Sequence, residues 1–132
     1  MPNPQDRPLS PHVGIYRWQL SNGLSILHRA TGFGLSFGLI LLTVWIWAVA
    51  YDPVLFDQLQ QLLNSVVGRV FLFAWTIAFF YHFGNGIRHL FWDTGRGLRV
   101  PDADASGKLV LVFTACATIF TWALIVRKAG LW

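Results

Sequence analysis

Four histidines stand in this 132-residue chain, and three of them fall where an ionisable side chain is costly. His82 lies within 70–87, a stretch without Asp, Glu, Lys or Arg. On a helix its neighbours are Ala78 and Phe79 one turn before it, and Gly86 and His89 one and two turns after it. An imidazole among aromatic and small residues, beside a glycine that lets a flat macrocycle approach, suits axial ligation of haem iron. The same side chain is open to two other uses: a hydrogen bond to a neighbouring helix, or a step in a proton relay or transport pathway.

A second group is Ser25-Ile26-Leu27-His28-Arg29. If this segment is helical, Ser25 shares a face with His28 at i+3 and Arg29 at i+4. A hydroxyl, an imidazole and a guanidinium held together could bind haem propionates. They could also donate hydrogen bonds to a quinone carbonyl and protons to its reduced form. Arg29 taken alone is better explained by snorkelling to lipid headgroups, and only the three residues together shift the balance toward a site. His89 and Asp93 are spaced i, i+4, so the carboxylate could orient the imidazole or form an interfacial polar pair. The lone Cys116 is read as packing, and no Cys/His zinc pattern is present.

Charge placement identifies the elements that must carry these groups. The chain is 55% hydrophobic and 12% charged, with a mean hydropathy of +0.50, whereas a soluble domain is about one-quarter charged. Seven tryptophans and eleven phenylalanines exclude a disordered chain. Three stretches, 30–51, 70–87 and 109–126, hold no charged residue and run for 22, 18 and 18 residues. A helix needs about 20 mostly apolar residues to cross the hydrocarbon, with about 17 as the lower bound. The run Leu39-Ile40-Leu41-Leu42-Thr43-Val44-Trp45-Ile46-Trp47 is apolar on every side, unlike the single stripe of a soluble bundle helix. The expected fold is all-α: an integral membrane protein with three transmembrane helices (roughly 30–51, 68–91 and 108–127), forming one domain over 1–132 within a multi-subunit helical bundle.

The flanking charges set an orientation. Arg7, Arg17, Arg29, Arg88, Arg96, Arg99 and Lys108 fall on one side, against Arg69, Arg127 and Lys128 on the other. The positive-inside rule then puts the N-terminus in the cytoplasm. Lipid-facing basic residues account for the pI near 9.8 without any nucleic acid. The polar, proline-rich start, Met1 to Pro8, has neither a signal-peptide core nor an amphipathic transit helix, so a bacterial inner membrane is expected. Between the first two spans, Leu55, Phe56, Leu59, Leu62, Leu63 and Val66 recur at helical spacing. Either the second helix begins early or a short helix lies at the outer interface. The second loop, 92–107, with Gly95, Gly97, Pro101 and three aspartates, reads as a solvated inside turn.

Two ordered motifs carry a family resemblance. Arg7-Pro8-Leu9-Ser10-Pro11-His12, then Ile15-Tyr16, then Ser25-Ile26-Leu27-His28-Arg29-Ala30-Thr31-Gly32 resembles the N-terminal signature of the succinate dehydrogenase cytochrome b subunits. His82-Phe83-Gly84-Asn85-Gly86-Ile87-Arg88-His89-Leu90-Phe91-Trp92-Asp93-Thr94-Gly95 resembles that family's second signature. With three spans, the resemblance covers essentially the whole chain, the third span adding only hydrophobicity.

The resemblance implies a membrane anchor of respiratory complex II, not catalytic by itself, that holds an iron–sulfur subunit and a flavoprotein subunit against the inner face of the bilayer. Succinate is oxidised on the flavoprotein, and electrons pass through iron–sulfur centres to ubiquinone. His82 corresponds to the axial ligand of haem b, and a second anchor subunit supplies the other ligand. Ser25 and Arg29 correspond to the ubiquinone pocket, and His28, Arg29 and His89 to the propionate side of the haem. Both motifs lie at the inner ends of the first two spans by charge counting alone, where a docked partner could deliver electrons. A fumarate-reducing homologue would share this fold. A haem-free proton-relay or channel subunit is the reading from another class.

Overall fold

The structure, a computed structural model, describes residues 16–128. The motif residues Arg7-Pro8-Leu9-Ser10-Pro11-His12 and Ile15 lie outside them. Among the described residues four helices follow in chain order: α1 (Leu20–Tyr51), α2 (Pro53–Asn64), α3 (Val66–Asp93) and α4 (Val100–Lys128). No strand occurs among the described residues. α1, α3 and α4 are long and apolar enough to cross a membrane. The fold is therefore all-α, with three long apolar helices and one short one.

Each long helix extends past the charge-free stretch inside it. The 32 residues of α1 reach about 48 Å at about 1.5 Å per residue, against a hydrocarbon core of about 30 Å. Its ends must project into the headgroup region. That is why Asn22, His28 and Arg29 are helical although the charge-free stretch begins at residue 30.

The segment after α1 resolves into a separate short helix. Asp52 caps α2, its Oδ1 accepting from the Leu55 N–H at 3.0 Å, and Pro53 occupies the first turn, where a missing N–H costs nothing. Ser65 then turns the chain: its hydroxyl donates to the Leu62 carbonyl at 2.7 Å and accepts from the Gly68 N–H at 3.1 Å. Gly68 makes the corner possible. A Cβ there would run into the Leu62 carbonyl oxygen and come within 2.6 Å of the Leu63 Cα, both main-chain atoms that cannot yield.

The second loop is shorter than the solvated turn expected over 92–107. α3 runs through Asp93 and α4 begins at Val100, so Asp102 and Asp104 are helical. The reason is local: Pro101 fits a first helical turn, and Asp102 there faces the positive end of the helix dipole. The reversal itself falls to Gly95 and Gly97, at φ 76° and 70°.

α3 packs against both α1 and α4, and α1 also meets α4. The buried apolar cluster holds one residue from each long helix, Leu24, Tyr81 and Val110. In α1 the buried residues are Leu24 and Ala48, and side chains such as Phe33, Leu39 and Ile40 turn outward. Helices apolar all round put their unburied surface against lipid or other subunits.

Candidate functional site

His82 sits on α3 facing the N-terminal part of α1, at His28, Thr31 and Gly32. Its ring stacks on that of His28, with centroids 4.1 Å apart and planes 16° from parallel. His28 is in turn 5.1 Å from His89, whose ring meets the edge of Trp92 at 5.0 Å. Three histidines separated by up to 61 positions thus form one row along the α1–α3 seam, since α1 and α3 lie side by side there. The His82 Nδ1 lies 3.2 Å from the main-chain oxygen of His28 and 3.4 Å from the Thr31 hydroxyl. The Nε2 of His82 has no hydrogen-bond partner among the described residues. His28 Nδ1 is buried and likewise unpartnered.

His82 also lines an apolar groove of ≈ 620 Å³ along α1 and α3. Gly38, Trp45, Trp75, Phe79 and Phe83 form much of its wall, and Leu63 closes it at the α2 end. The Trp75 indole fills the place where a side chain at Gly38 would stand. A groove of this size, mostly apolar with one nitrogen free, has the usual character of a cofactor site. The glycine next to the imidazole is not the one expected. It is Gly32, on α1, where a Cβ would come 2.8 Å from the His82 Cε1. Gly86 opens onto space, with nothing within 4 Å of the position a Cβ would take. On one helix the i+4 neighbour is adjacent in sequence terms, but the helix packed across from it touches the ring.

Ser25, His28 and Arg29 are helical as the spacing required, yet they part company. His28 turns toward α3, Ser25 is half-buried, and Arg29 is exposed. No hydrogen bond joins Ser25 to Arg29 among the described residues. His89 and Asp93 form no ion pair: Asp93 is exposed, and His89 packs against His28 and Trp92. The ion pair found among the described residues is Arg99 with Asp102, at 4.0 Å on the surface.

Arg88 plays a part that charge counting missed. It is 5% exposed, and its guanidinium donates three ways: Nε to the Ser106 hydroxyl at 3.0 Å, Nη1 to the Asn85 Oδ1 at 3.1 Å, and Nη2 to the Ala103 carbonyl at 2.8 Å. The carbon of the same group lies 4.0 Å over the Trp92 ring. Asn85 donates to the Leu24 carbonyl at 3.3 Å, and the Tyr81 hydroxyl donates to that carbonyl at 2.6 Å. Tyr81, Asn85 and Arg88 therefore tie α3 to α1 on one side and to α4 on the other. Their i, i+4, i+7 spacing, a polar stripe on an apolar helix, was the available signal. The network secures the carbonyl next to Ser25, and so the turn of α1 that carries Ser25, His28 and Arg29.

Residues 3–121 match the family described as succinate dehydrogenase/fumarate reductase transmembrane subunit. The chain is similar to the succinate dehydrogenase cytochrome b556 subunit of Rickettsia felis, 40% identical over 116 residues, covering 88% of this chain and 90% of that protein. It is also similar to the mitochondrial succinate dehydrogenase cytochrome b560 subunit of Homo sapiens, 40% identical over 119 residues, covering 86% of this chain and 69% of that one. With three long apolar helices and a match over most of its length, the chain belongs to the succinate dehydrogenase/fumarate reductase transmembrane subunit family.

Proposed function

We propose that this chain anchors a succinate:ubiquinone oxidoreductase in a bacterial inner membrane, with its N-terminus in the cytoplasm, and that it provides one axial ligand to haem b and part of the ubiquinone site. The observation that carries the reading is His82: an imidazole with Nε2 unengaged, at the edge of a large apolar groove, within a row of three histidines. The donor set fits haem, since an imidazole nitrogen suits the iron and apolar walls suit a macrocycle. On this reading His28, Arg29 and His89 would be the residues that meet the haem propionates. The other axial ligand belongs to a second anchor subunit, and an iron–sulfur and a flavoprotein subunit complete the complex.

Haem b, when bound, supplies a one-electron carrier inside the membrane; the residues of this chain bind and orient. Ser25 and Arg29, one turn apart at the inner end of α1, donate hydrogen bonds to a quinone carbonyl, and the exposed guanidinium stabilises charge that builds on the oxygen during reduction. The Tyr81–Asn85–Arg88 network holds that turn against α3. The orientation is supported by the basic residues. Arg88 is buried and does not reach headgroups, but even without it six basic residues stand against three.

The test is a reduced-minus-oxidised spectrum of the purified complex carrying His82→Ala. The expected result is loss of the b-type band with all three helices still inserted; an unchanged band would overturn the ligand assignment. For the quinone side, Ser25→Ala and Arg29→Ala should lower ubiquinone reduction while succinate oxidation with an artificial acceptor is kept. Equal losses in both assays would count against a quinone role.

A further inference from the structure

One edge of His82 is addressed by α1 in a way that assigns its proton. Nδ1 faces two oxygens, the His28 carbonyl at 3.2 Å and the Thr31 hydroxyl at 3.4 Å. The hydroxyl's own hydrogen is already engaged, because the Thr31 Oγ1 lies 2.8 Å from the Leu27 carbonyl and 2.9 Å from the His28 carbonyl. Both groups at Nδ1 are therefore acceptors, joined in a three-centre bond with one shorter and one longer limb. A neutral imidazole carries one N–H, and only its placement on Nδ1 satisfies them. Gly32 borders the same ring. A Cβ at this position would stand 2.8 Å from Cε1 and 3.4 Å from Nδ1, so any side chain would push the imidazole away from the two oxygens.

We propose that Thr31 and Gly32 are positioning residues for the iron ligand: Thr31 holds the proton at Nδ1 and leaves the Nε2 lone pair for the metal, and Gly32 provides the room in which the ring keeps that orientation. The inference rests on the ligand role of His82 and adds to it the residues that set tautomer, ring angle and donor strength. A ligand imidazole whose N–H is held by oxygen acceptors is a stronger electron donor and favours ferric iron. Removing one acceptor weakens that preference. The His28 carbonyl belongs to the main chain and survives any substitution, so the effect is partial.

The experiment uses the assembled complex carrying Thr31→Val, Thr31→Ser, Gly32→Ala or His82→Ala, and reads haem per complex, the low-spin electron paramagnetic resonance spectrum and the haem midpoint potential. Thr31→Val conserves volume and removes the acceptor. Haem should stay bound while the ferrous-to-ferric ratio rises up to about tenfold at fixed potential, a shift of about 59 mV upward for a one-electron couple. Thr31→Ser should restore the wild-type potential. Gly32→Ala should change the low-spin signals and lower haem retention by about tenfold. Wild-type potential in Thr31→Val, or equal shifts in Thr31→Val and Thr31→Ser, would overturn the role of Thr31; unchanged signals and retention in Gly32→Ala would overturn that of Gly32. In those cases loss of haem from His82→Ala would leave the ligand assignment standing. Haem bound normally in His82→Ala would instead overturn the ligand assignment itself. Should Gly32→Ala not assemble, the two Thr31 variants decide the proposal.

Discussion

Replacing Arg88 with lysine separates a residue's charge from its shape. The variant keeps the number of basic residues at this end of α3, so insertion should follow the wild-type orientation. What it loses is the planar fork. Arg88 reaches Ser106, Asn85 and the Ala103 carbonyl through three different nitrogens and lies flat over Trp92. An ammonium is a point donor on a flexible stem and cannot serve three acceptors set around a plane. Two hydrogen bonds from a charged donor, at roughly 1.5–3 kcal/mol each, are lost in a site where the side chain is 5% exposed. Allowing for relaxation, the cost should be about 3 kcal/mol, at the lower end of what breaking a buried charged contact costs. Amide hydrogen exchange in residues 103–107 is the assay, because those turns of α4 are the ones held by the fork. A loss of about 3 kcal/mol corresponds to roughly 100-fold faster exchange if opening is local. Arg99→Lys is the control: its side chain is 84% exposed and its ion pair with Asp102 is at 4.0 Å, so exchange should change less than about threefold. Exchange in Arg88→Lys within about threefold of wild type would refute the view that the fork ties α3 to α4.

Three further outcomes are expected. Gly86→Ala meets no atom within 4 Å in this chain and should favour the helix by about 0.8–1 kcal/mol. Loss of haem from that variant's complex would therefore place the macrocycle over Gly86, and full haem content would show that no close approach occurs there. Gly68→Ala should cost more than the roughly 1–3 kcal/mol usual for overpacking, since the obstacles are main-chain atoms of Leu62 and Leu63; a melting temperature of the complex within a degree of wild type would contradict this. Asp52→Ala removes the α2 cap and should cost about 1 kcal/mol, seen as roughly fivefold faster exchange of the Leu55 amide, with no change in haem content.

Hydrophobic patterning made the long helices legible, because a run without charges longer than the hydrocarbon is thick has few other uses. Their ends were less so. Residues 20–29 and 100–108 mix polar and apolar side chains, and their helicity comes from continuation of a helix already nucleated in the span and, in α4, from Pro101 and Asp102. For the site, spacing on one helix brought out His82 and the Ser25–His28–Arg29 turn but could say nothing about what stands across from them. Hence helix spacing points to Gly86 where Gly32 on α1 borders the ring, and to Asp93 where His89 packs against His28. Arg88 illustrates the same limit. A basic residue at the end of a span is read as facing headgroups, and only the presence of acceptors on α4 reveals that it points inward.

Between α1 and α3 the polar contacts are gathered toward one end, around Leu24, His28, Thr31, Tyr81, His82 and Asn85, whereas the groove beside His82 runs on toward Trp45 and Leu63 between apolar walls. Mechanically this resembles a pair of tongs, riveted at the handle and free at the jaws. A broad flat guest can part the jaws by exchanging one set of dispersion contacts for another, without breaking a hydrogen bond at the rivet. Filling the groove and keeping the N-terminal turns of α1 in place are thus separable tasks, so the turn that carries Ser25, His28 and Arg29 can be in register before anything occupies the groove.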